Sequence, residues 1–468
     1  MNIQAAIDAL TAKGIEIDLN PASVKAKSRD FFWYSPVLKD RLDHVVADFV
    51  ATPLDQDQVI EVLATCYAHD VPVTTRGTGT GNYGQAMPLA GGCVLHLHKM
   101  NAVTEILPGR VIVEPGCLLK DLDAACKADS NQEIRMFSST WATATIGGFI
   151  AGGSGGVGSV RWGSLRDPGN IIRLRVVTME ATPRVLDITG DDLHRVSHAY
   201  GTNGIITEIE IPLAPAYDWV GIFVAFDSYD EALHYSYDLA SCDGILLKLV
   251  TVFEDPIAKD YFQRVAPYVD ASDALVALMV APQSLPGWET FTAARTARTI
   301  YRSDANDWAR DPGPVFEYGW NHTTLRALKV DPSITYLQIG YGTDDPVGLA
   351  KTIRDALSPE ILQHNEVTRQ NGKVAIGGLT LVKFTTEARL DEIIAIHEAH
   401  GAPNFNPHRY TLEEGGRQAV DARQLDFKRE ADPKGLLNPG KMIAWHQPDW
   451  DYKGMYAWPG LQSKTAAE

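Results

Sequence analysis

A chain of 468 residues exceeds what one hydrophobic core organises, so two or three domains are expected, with room for a sizeable buried site. Apolar residues at 45% and charged residues at 22% are ordinary globular usage and argue against long disordered segments. The 59 acidic against 42 basic side chains leave a formal charge of −17, which repels a phosphate backbone and sets nucleic acid aside as a partner.

The first residues, MNIQAAIDALTAKGIEIDL, carry no basic leader ahead of an apolar block, and Ile3, Ile7 and Leu10 recur at helical spacing, which reads as a surface helix. No stretch reaches the roughly 18 uncharged apolar residues of a membrane span, so a soluble, cytoplasmic protein is expected. The cysteines Cys66, Cys93, Cys117, Cys126 and Cys242 are odd in number and never spaced as CxxC; neither a disulfide framework nor a metal site is indicated.

Residues 44–50, HVVADFV, read as a β-rich run, followed by the helical DQDQVIEVLATCYAHD and the strand VPVTTR ending at Arg76, which together form a βαβ unit. After a glycine cluster come the strand CVLHLH, a turn at NAV, and RVIVEPG, where Pro115 and Gly116 break the strand as the helix LLKDLDAACKAD begins. NIIRLRVVT (170–178) and GIITEIEIPL (204–213) read as strands, and Pro212 and Pro215 mark a domain boundary near residue 216. Beyond it, helical text such as YDEALHYSYDLAS alternates with the strand candidates ALVALMVA, ITYLQIGY and KVAIGGLTLVKF, as in a separate α+β domain. In the tail LDFKREADPKGLLNPGKM, Asp432-Pro433 and Asn438-Pro439-Gly440 end a helix and start tight turns. The expected division is 1–215, 216–403 and a C-terminal segment 404–468 that returns to the first domain.

The run RGTGTGNYGQ contains Gly79-x-Gly81-x-x-Gly84 after a strand, which formally matches a dinucleotide fingerprint. Its context rejects a Rossmann reading, because the loop leads through Pro88, Gly91 and Gly92 to another strand and not into a helix. What remains is a strand-to-strand loop whose N–H groups can curl around a diphosphate. A second cluster, TATIGGFIAGGSGGVGSVRWG, interleaves its glycines with Ile146, Phe149, Ile150, Val157, Val160 and Trp162, so it reads as an ordered loop and not a linker. Glycines there let a large flat ligand lie against the backbone.

VPVTTRGTGTGNYGQAMP, KMNAVTEI, VIVEPG, ATIGGFIAGGSGGVGSVRWG, GTNGIITEI and DPKGLLNPGKM stand in an order and spacing that resemble the FAD-binding family named after p-cresol methylhydroxylase and vanillyl-alcohol oxidase, in its glycolate-oxidase-like and D-lactate-dehydrogenase-like branch. The resemblance covers residues 44–213 and the tail near 425–443. It implies a two-domain α+β flavoprotein: an FAD-binding domain of two α/β subdomains, and an α+β substrate or cap domain with an antiparallel sheet. FAD would then lie among Arg76, Gly77, Thr78, Gly79, Thr80, Gly81, Asn82, Tyr83, Gly84 and Gln85 of the first loop and Pro115 and Gly116 after it. Thr140, Trp141, Thr145, Ile146, Gly147, Gly148, Gly152, Gly153, Gly155 and Gly156 of the second cluster would close around it. Ile205 and Ile206 would meet the adenine side, and Asn438 and Lys441 would approach the flavin from the tail. Many relatives tether FAD through a histidine or cysteine where this chain has Thr80 and Trp141, so FAD is expected to be bound without a covalent bond.

Flavin oxidation of an alcohol needs a base for the hydroxyl proton beside the hydride acceptor N5. EYGWNHTTLRALK supplies Glu317, Tyr318, Asn321, His322, Arg326 and Lys329, and as a strand it would put Tyr318, Trp320 and His322 on one face. NFNPHRY adds Asn404, His408, Arg409 and Tyr410. His322 and His408 are the candidate bases, and Arg409 is the candidate for an anionic substrate group. His96 and His98 share a strand face without a carboxylate at ligand spacing and read as packing. His397 and His400 miss the HExxH spacing by one residue and read as a solvated helix face. The paired-histidine and glycine-histidine-glycine segments of metal-assisted family members are absent. The expected activity is FAD-dependent oxidation of a CH–OH group, in a 2-hydroxy acid or a polyol-like substrate. The alternatives are oxidation of a phenolic alcohol or an amine, or flavin binding without turnover. Whether oxygen, a quinone or a protein accepts the electrons is not written in the sequence.

Overall fold

The computed structural model describes residues 1–342, 344–451 and 456–464. The first layer grows from the helix Gln56–Ala68, which Asp55 caps by accepting the Gln58 N–H and which buries Val59, Val62, Leu63 and Cys66 along one face. That face covers a four-stranded sheet in the order Glu16–Asp18, Phe49–Thr52, Cys93–His96, Val73–Arg76. The last three strands are parallel and the first is antiparallel. Helix Ile3–Ala12 lays Ala6, Ile7 and Leu10 into the same core.

The second sheet is antiparallel and built on the long strand Ile205–Pro215, which pairs with Arg110–Val113, Arg173–Val177 and Gln132–Ile134. Its edge Val103–Leu107 starts at the last residue of the turn read at NAV and is not itself read as a strand; a tight turn at Pro108 and Gly109 returns it to Arg110–Val113. Thr104 and Glu105 of that edge are exposed, so no apolar alternation announced it.

The third sheet has seven strands, in the order Arg298–Arg302, Val220–Phe226, Ala274–Val280, Leu247–Phe253, His364–Gln370, Lys373–Gly378, Ile339–Tyr341, all antiparallel. Every residue of Val220–Phe226, Ala274–Val280 and Leu247–Phe253 is buried, so both faces are covered there. Phe223, Ala225, Leu249 and Phe253 join the core that also holds Leu174 and Ile209 of the second sheet. Their alternates Ile222, Val224, Val250 and Val252 pack under helices Tyr229–Ser241 and Pro346–Leu357.

Two runs that read as single strands are each split. Within ITYLQIGY, Ile334–Tyr336 joins a three-stranded sheet with Leu381–Lys383 and Ile361–Leu362, whereas Ile339–Tyr341 edges the seven-stranded one. KVAIGGLTLVKF divides likewise into Lys373–Gly378 and Leu381–Lys383. The breaks face each other through Leu337 N–H donating to Thr380 O at 2.9 Å, and the apolar text runs unbroken through both.

The tail closes on the first sheet. Val73 N–H donates to Leu436 O at 2.9 Å and Asn438 N–H to Val73 O at 2.8 Å, which adds a parallel bridge at the Val73–Arg76 edge. Among the described residues no helix is long and apolar enough to cross a membrane.

Candidate active site between two glycine cradles and the seven-stranded sheet

Where Val73–Arg76 ends, the chain turns through the first cradle. None of the six successive N–H groups from Gly77 to Asn82 donates to another protein group among the described residues, and all six residues line one cleft. Gly79 turns with φ +74°, where a side chain is strained. Arg76 lies behind it, donating to Thr78 O at 2.8 Å, and burial lowers the affinity of its guanidinium for the proton. The loop is held from outside the cleft: Lys441 Nζ donates to Gly84 O at 2.6 Å, and Asn438 Nδ2 donates to Gln85 O at 2.8 Å and Tyr200 O at 2.7 Å. Asp30 accepts the N–H groups of Phe32 and Ala86. Burial raises the Asp30 carboxyl and lowers the Lys441 ammonium, while each charge opposes the other's shift.

The second cradle is a short helix, Ile146–Gly152, where the sequence reads a glycine loop. Thr145 caps it by accepting the Gly148 N–H, and buried Ile146, Phe149 and Ile150 anchor it, which offsets the low helix propensity of its glycines. Several glycines serve protein–protein approach and not a ligand. A Cβ on Gly77 would sit 2.1 Å from Thr145 Oγ1, and one on Gly147 would sit 2.6 Å from Pro115 Cβ. The two cradles therefore touch through glycine.

Between them and the cap lies a cleft of about 1360 Å³. Residues Arg76–Tyr83, Gln85, Pro115, Thr140, Thr145, Gly147, Gly148, Gly152, Gly153, Gly155, Ile205 and Ile206 line it. Gly84, Gly116, Trp141, Ile146, Gly156, Asn438 and Lys441 do not; they pack or brace the lining. Thr78 and Tyr200 both line the cleft, and Thr78 Oγ1 and Tyr200 OH are buried without a partner among the described residues. Free N–H groups in a turn and orphaned hydroxyls are what a diphosphate and its attached groups would satisfy, so the residues fit FAD. Among the described residues no group of three or more His, Cys, Asp or Glu is placed to hold a metal.

The candidate catalytic residues lie elsewhere. EYGWNHTTLRALK is not a strand: a 3-10 turn Val315–Tyr318 leads through Gly319 and Trp320 into helix Asn321–Val330, with Thr323 Oγ1 bonded to Tyr318 O, so Tyr318, Trp320 and His322 share no strand face. His322 is half-buried and lines no part of the cleft; burial, then the neighbouring Arg326, pulls its imidazole down to about 4. His408 is fully buried, with Nδ1 at 2.7 Å from Ser35 Oγ and Nε2 at 2.9 Å from Tyr336 O, and burial pulls it down to about 3. Arg409 pairs with Asp391 at 3.3 Å and Glu387 at 3.5 Å. Neither His408 nor Arg409 reaches the cleft. His397, expected on a solvated face, is buried with Nδ1 against Ile393 O, and only His400 is exposed.

The cap instead presents Trp320, Asn321 and Glu366 to the cleft, and the returning segment adds Asn404. Trp320 Nε1, Asn321 Oδ1 and both amide atoms of Asn404 are buried without a partner among the described residues. Asn321 and Asn404 were among the polar candidates in the sequence; Glu366 was not. Its only written signal was His364-x-Glu366 on one strand face.

With this geometry in place, residues 47–187 match the family described as FAD binding domain. The chain thus carries an FAD-binding domain like that of FAD-linked oxidoreductases, and FAD is its cofactor. It is 29% identical over 198 residues to an uncharacterized FAD-linked oxidoreductase of Mycobacterium tuberculosis (strain H37Rv), spanning 40% of this chain and 42% of that one. It is 32% identical over 181 residues to the glycolate oxidase subunit GlcD of Bacillus subtilis (strain 168), spanning 36% of this chain and 37% of that one. These alignments thus span about two fifths of either partner. A solved alkyldihydroxyacetonephosphate synthase shares the fold over 94% of this chain and 86% of its own, with a TM-score of 0.68 at 14% identity.

Proposed function

We propose that this protein is an FAD-dependent oxidoreductase that oxidises the CH–OH group of a small substrate, a 2-hydroxy acid or a polyol-like compound. One observation carries the reading: Trp320, Asn321 and Asn404, each with a buried polar atom that has no partner among the described residues, line the same cleft as the nest of free N–H groups. A hydroxyl offers one donor and two acceptor positions, which suits a ring of amide and indole groups. Buried atoms of this kind cost about 1–3 kcal/mol each when left unpaired, so they favour a polar ligand. FAD, when bound, supplies the acceptor for a hydride. The name of the GlcD relative supports a 2-hydroxy acid, as does Arg417, which lines the cleft with no ion-pair partner among the described residues.

The same reading divides the chain into an FAD-binding part of residues 1–215, a substrate part of 216–403 and the returning segment 404–468. FAD is held without a covalent bond. No cysteine is among the lining residues; of the lining histidines, His198 has its Nδ1 at 3.0 Å from Gly153 O, and His194 Nδ1 accepts from Arg166 Nε at 3.3 Å. Acid precipitation should release all the yellow colour into the supernatant; colour in the pellet contradicts this. Anaerobic addition of glycolate, D-lactate or sorbitol should bleach the flavin absorbance with at least one of them. No bleaching by any member of the panel overturns the oxidation reading.

A further inference from the structure

Glu366 is 1% exposed, yet it lines the cleft beside Trp320 and Asn321. Its Oε1 accepts the Trp320 N–H and stands 2.9 Å from His364 Nε2, and its Oε2 accepts the Thr251 hydroxyl. No lysine or arginine pairs with it among the described residues. Burying a carboxylate without a cation is costly, and the surrounding backbone adds to that cost. Trp320 holds φ +51° and ψ −142°, a strained conformation that side chains rarely adopt. A Cβ on Gly319 would sit 2.9 Å from both Glu366 Oε1 and Thr251 Oγ1, so the turn approaches the carboxylate only because residue 319 is glycine. His364 is fully buried, stacked on Phe253 at 5.0 Å between ring centres, with Nδ1 unpartnered. Three protein groups therefore converge on a carboxylate that has about four acceptor positions, which leaves one for a ligand hydroxyl.

We infer that Glu366 is the group that takes the substrate's hydroxyl proton, with His364 as a positioning residue that fixes the carboxylate through its Nε2. This rests on the oxidation reading above. The step balances: the O–H bond breaks and its proton goes to a Glu366 oxygen, the C–H bond breaks and its hydride passes to oxidised FAD, and the C=O double bond forms. Asn321 and Asn404 hold the neighbouring hydroxyl or carboxyl group. The strained Trp320 keeps its N–H on Oε1, so that Oε1 does not rotate into the cleft.

The test is rapid anaerobic mixing of the FAD-loaded protein with glycolate, D-lactate and sorbitol, comparing wild type with Glu366→Gln, Glu366→Asp and His364→Asn. Glu366→Gln should keep one FAD per chain and slow flavin reduction at least about a hundredfold, with the acid limb of the pH–rate profile abolished. Glu366→Asp should retain a measurable rate with a displaced acid limb, and it carries the test if the Gln variant fails to hold FAD. His364→Asn should lower kcat more than it changes KM and move the same limb. Infrared difference spectra on reduction should show a protonated carboxyl band in wild type that is missing in Glu366→Gln. Equal reduction rates in wild type and Glu366→Gln, or an unmoved acid limb in Glu366→Asp, overturn this assignment alone. A wild type reduced by no member of the panel overturns the oxidation reading and this assignment with it.

Discussion

At the scale of single residues, the histidines most visible in the sequence are the ones the fold uses for itself. NFNPHRY places His408 next to an arginine, as a site might, but the ring is spent bridging Ser35 and Tyr336 O. His408→Ala should therefore destabilise the protein by about 2–4 kcal/mol in urea unfolding, through two unpaired partners and a cavity. It should leave the rate of flavin reduction nearly unchanged, and a large loss of rate at unchanged stability would restore His408 as a base. Glycines divide in the same way. Gly77→Ala places a Cβ 2.1 Å from Thr145 Oγ1, the atom that caps the second cradle. FAD affinity should fall at least about tenfold by fluorescence titration, since the two halves of the site must separate by more than contact distance. Gly244→Ala, with nothing within 4 Å, is the matched control and should bind FAD normally.

Elements were legible where local chemistry spoke. The βαβ unit and the loop after Arg76 are written in a strand, a helix and another strand followed by glycine and proline; the helix and the Val73–Arg76 strand occupy the expected places, whereas the first strand is Phe49–Thr52 and most of 44–50 runs up to it as turn and loop. Helix Ile146–Gly152 was hidden because its glycines argue against a helix, while its stability comes from the Thr145 cap and buried Phe149 and Ile150. The split of ITYLQIGY between two sheets was hidden because periodicity does not say which sheet a strand joins. Glu366 was hidden because a lone carboxylate in a strand carries no motif, and its partners Thr251, Trp320 and His364 meet only through folding. The tail braces the first cradle. Asn438 has φ +42°, so Asn438→Gly removes its bonds to Gln85 O and Tyr200 O without adding strain. FAD should bind about tenfold more weakly, the loss of roughly one to two supporting hydrogen bonds, although Asn438 lines no part of the cleft. Unchanged affinity would make the bracing irrelevant.

Across the whole molecule, one core runs from the second sheet to one face of the seven-stranded sheet, so the cradles and the cap residues are held in a continuous packed body. Acid should loosen that body in part through His408. Its folded value, about 3, lies below the ordinary one near 6.5, so its stabilising contribution is present above 6.5 and is lost as pH falls toward 3. Thermal midpoints of wild type should drop more steeply between pH 6.5 and 4 than those of His408→Gln, whose side chain takes up no proton. Parallel curves would assign acid lability to other groups.

The cleft between the two cradles is the seat of FAD on which every role above depends. Titration of the protein, stripped of any bound flavin, with FAD should give saturable quenching of flavin fluorescence at one FAD per chain, and Gly77→Ala should weaken it. A protein that stays colourless after incubation with excess FAD, or binding that is indifferent to the cradle substitution, contradicts it.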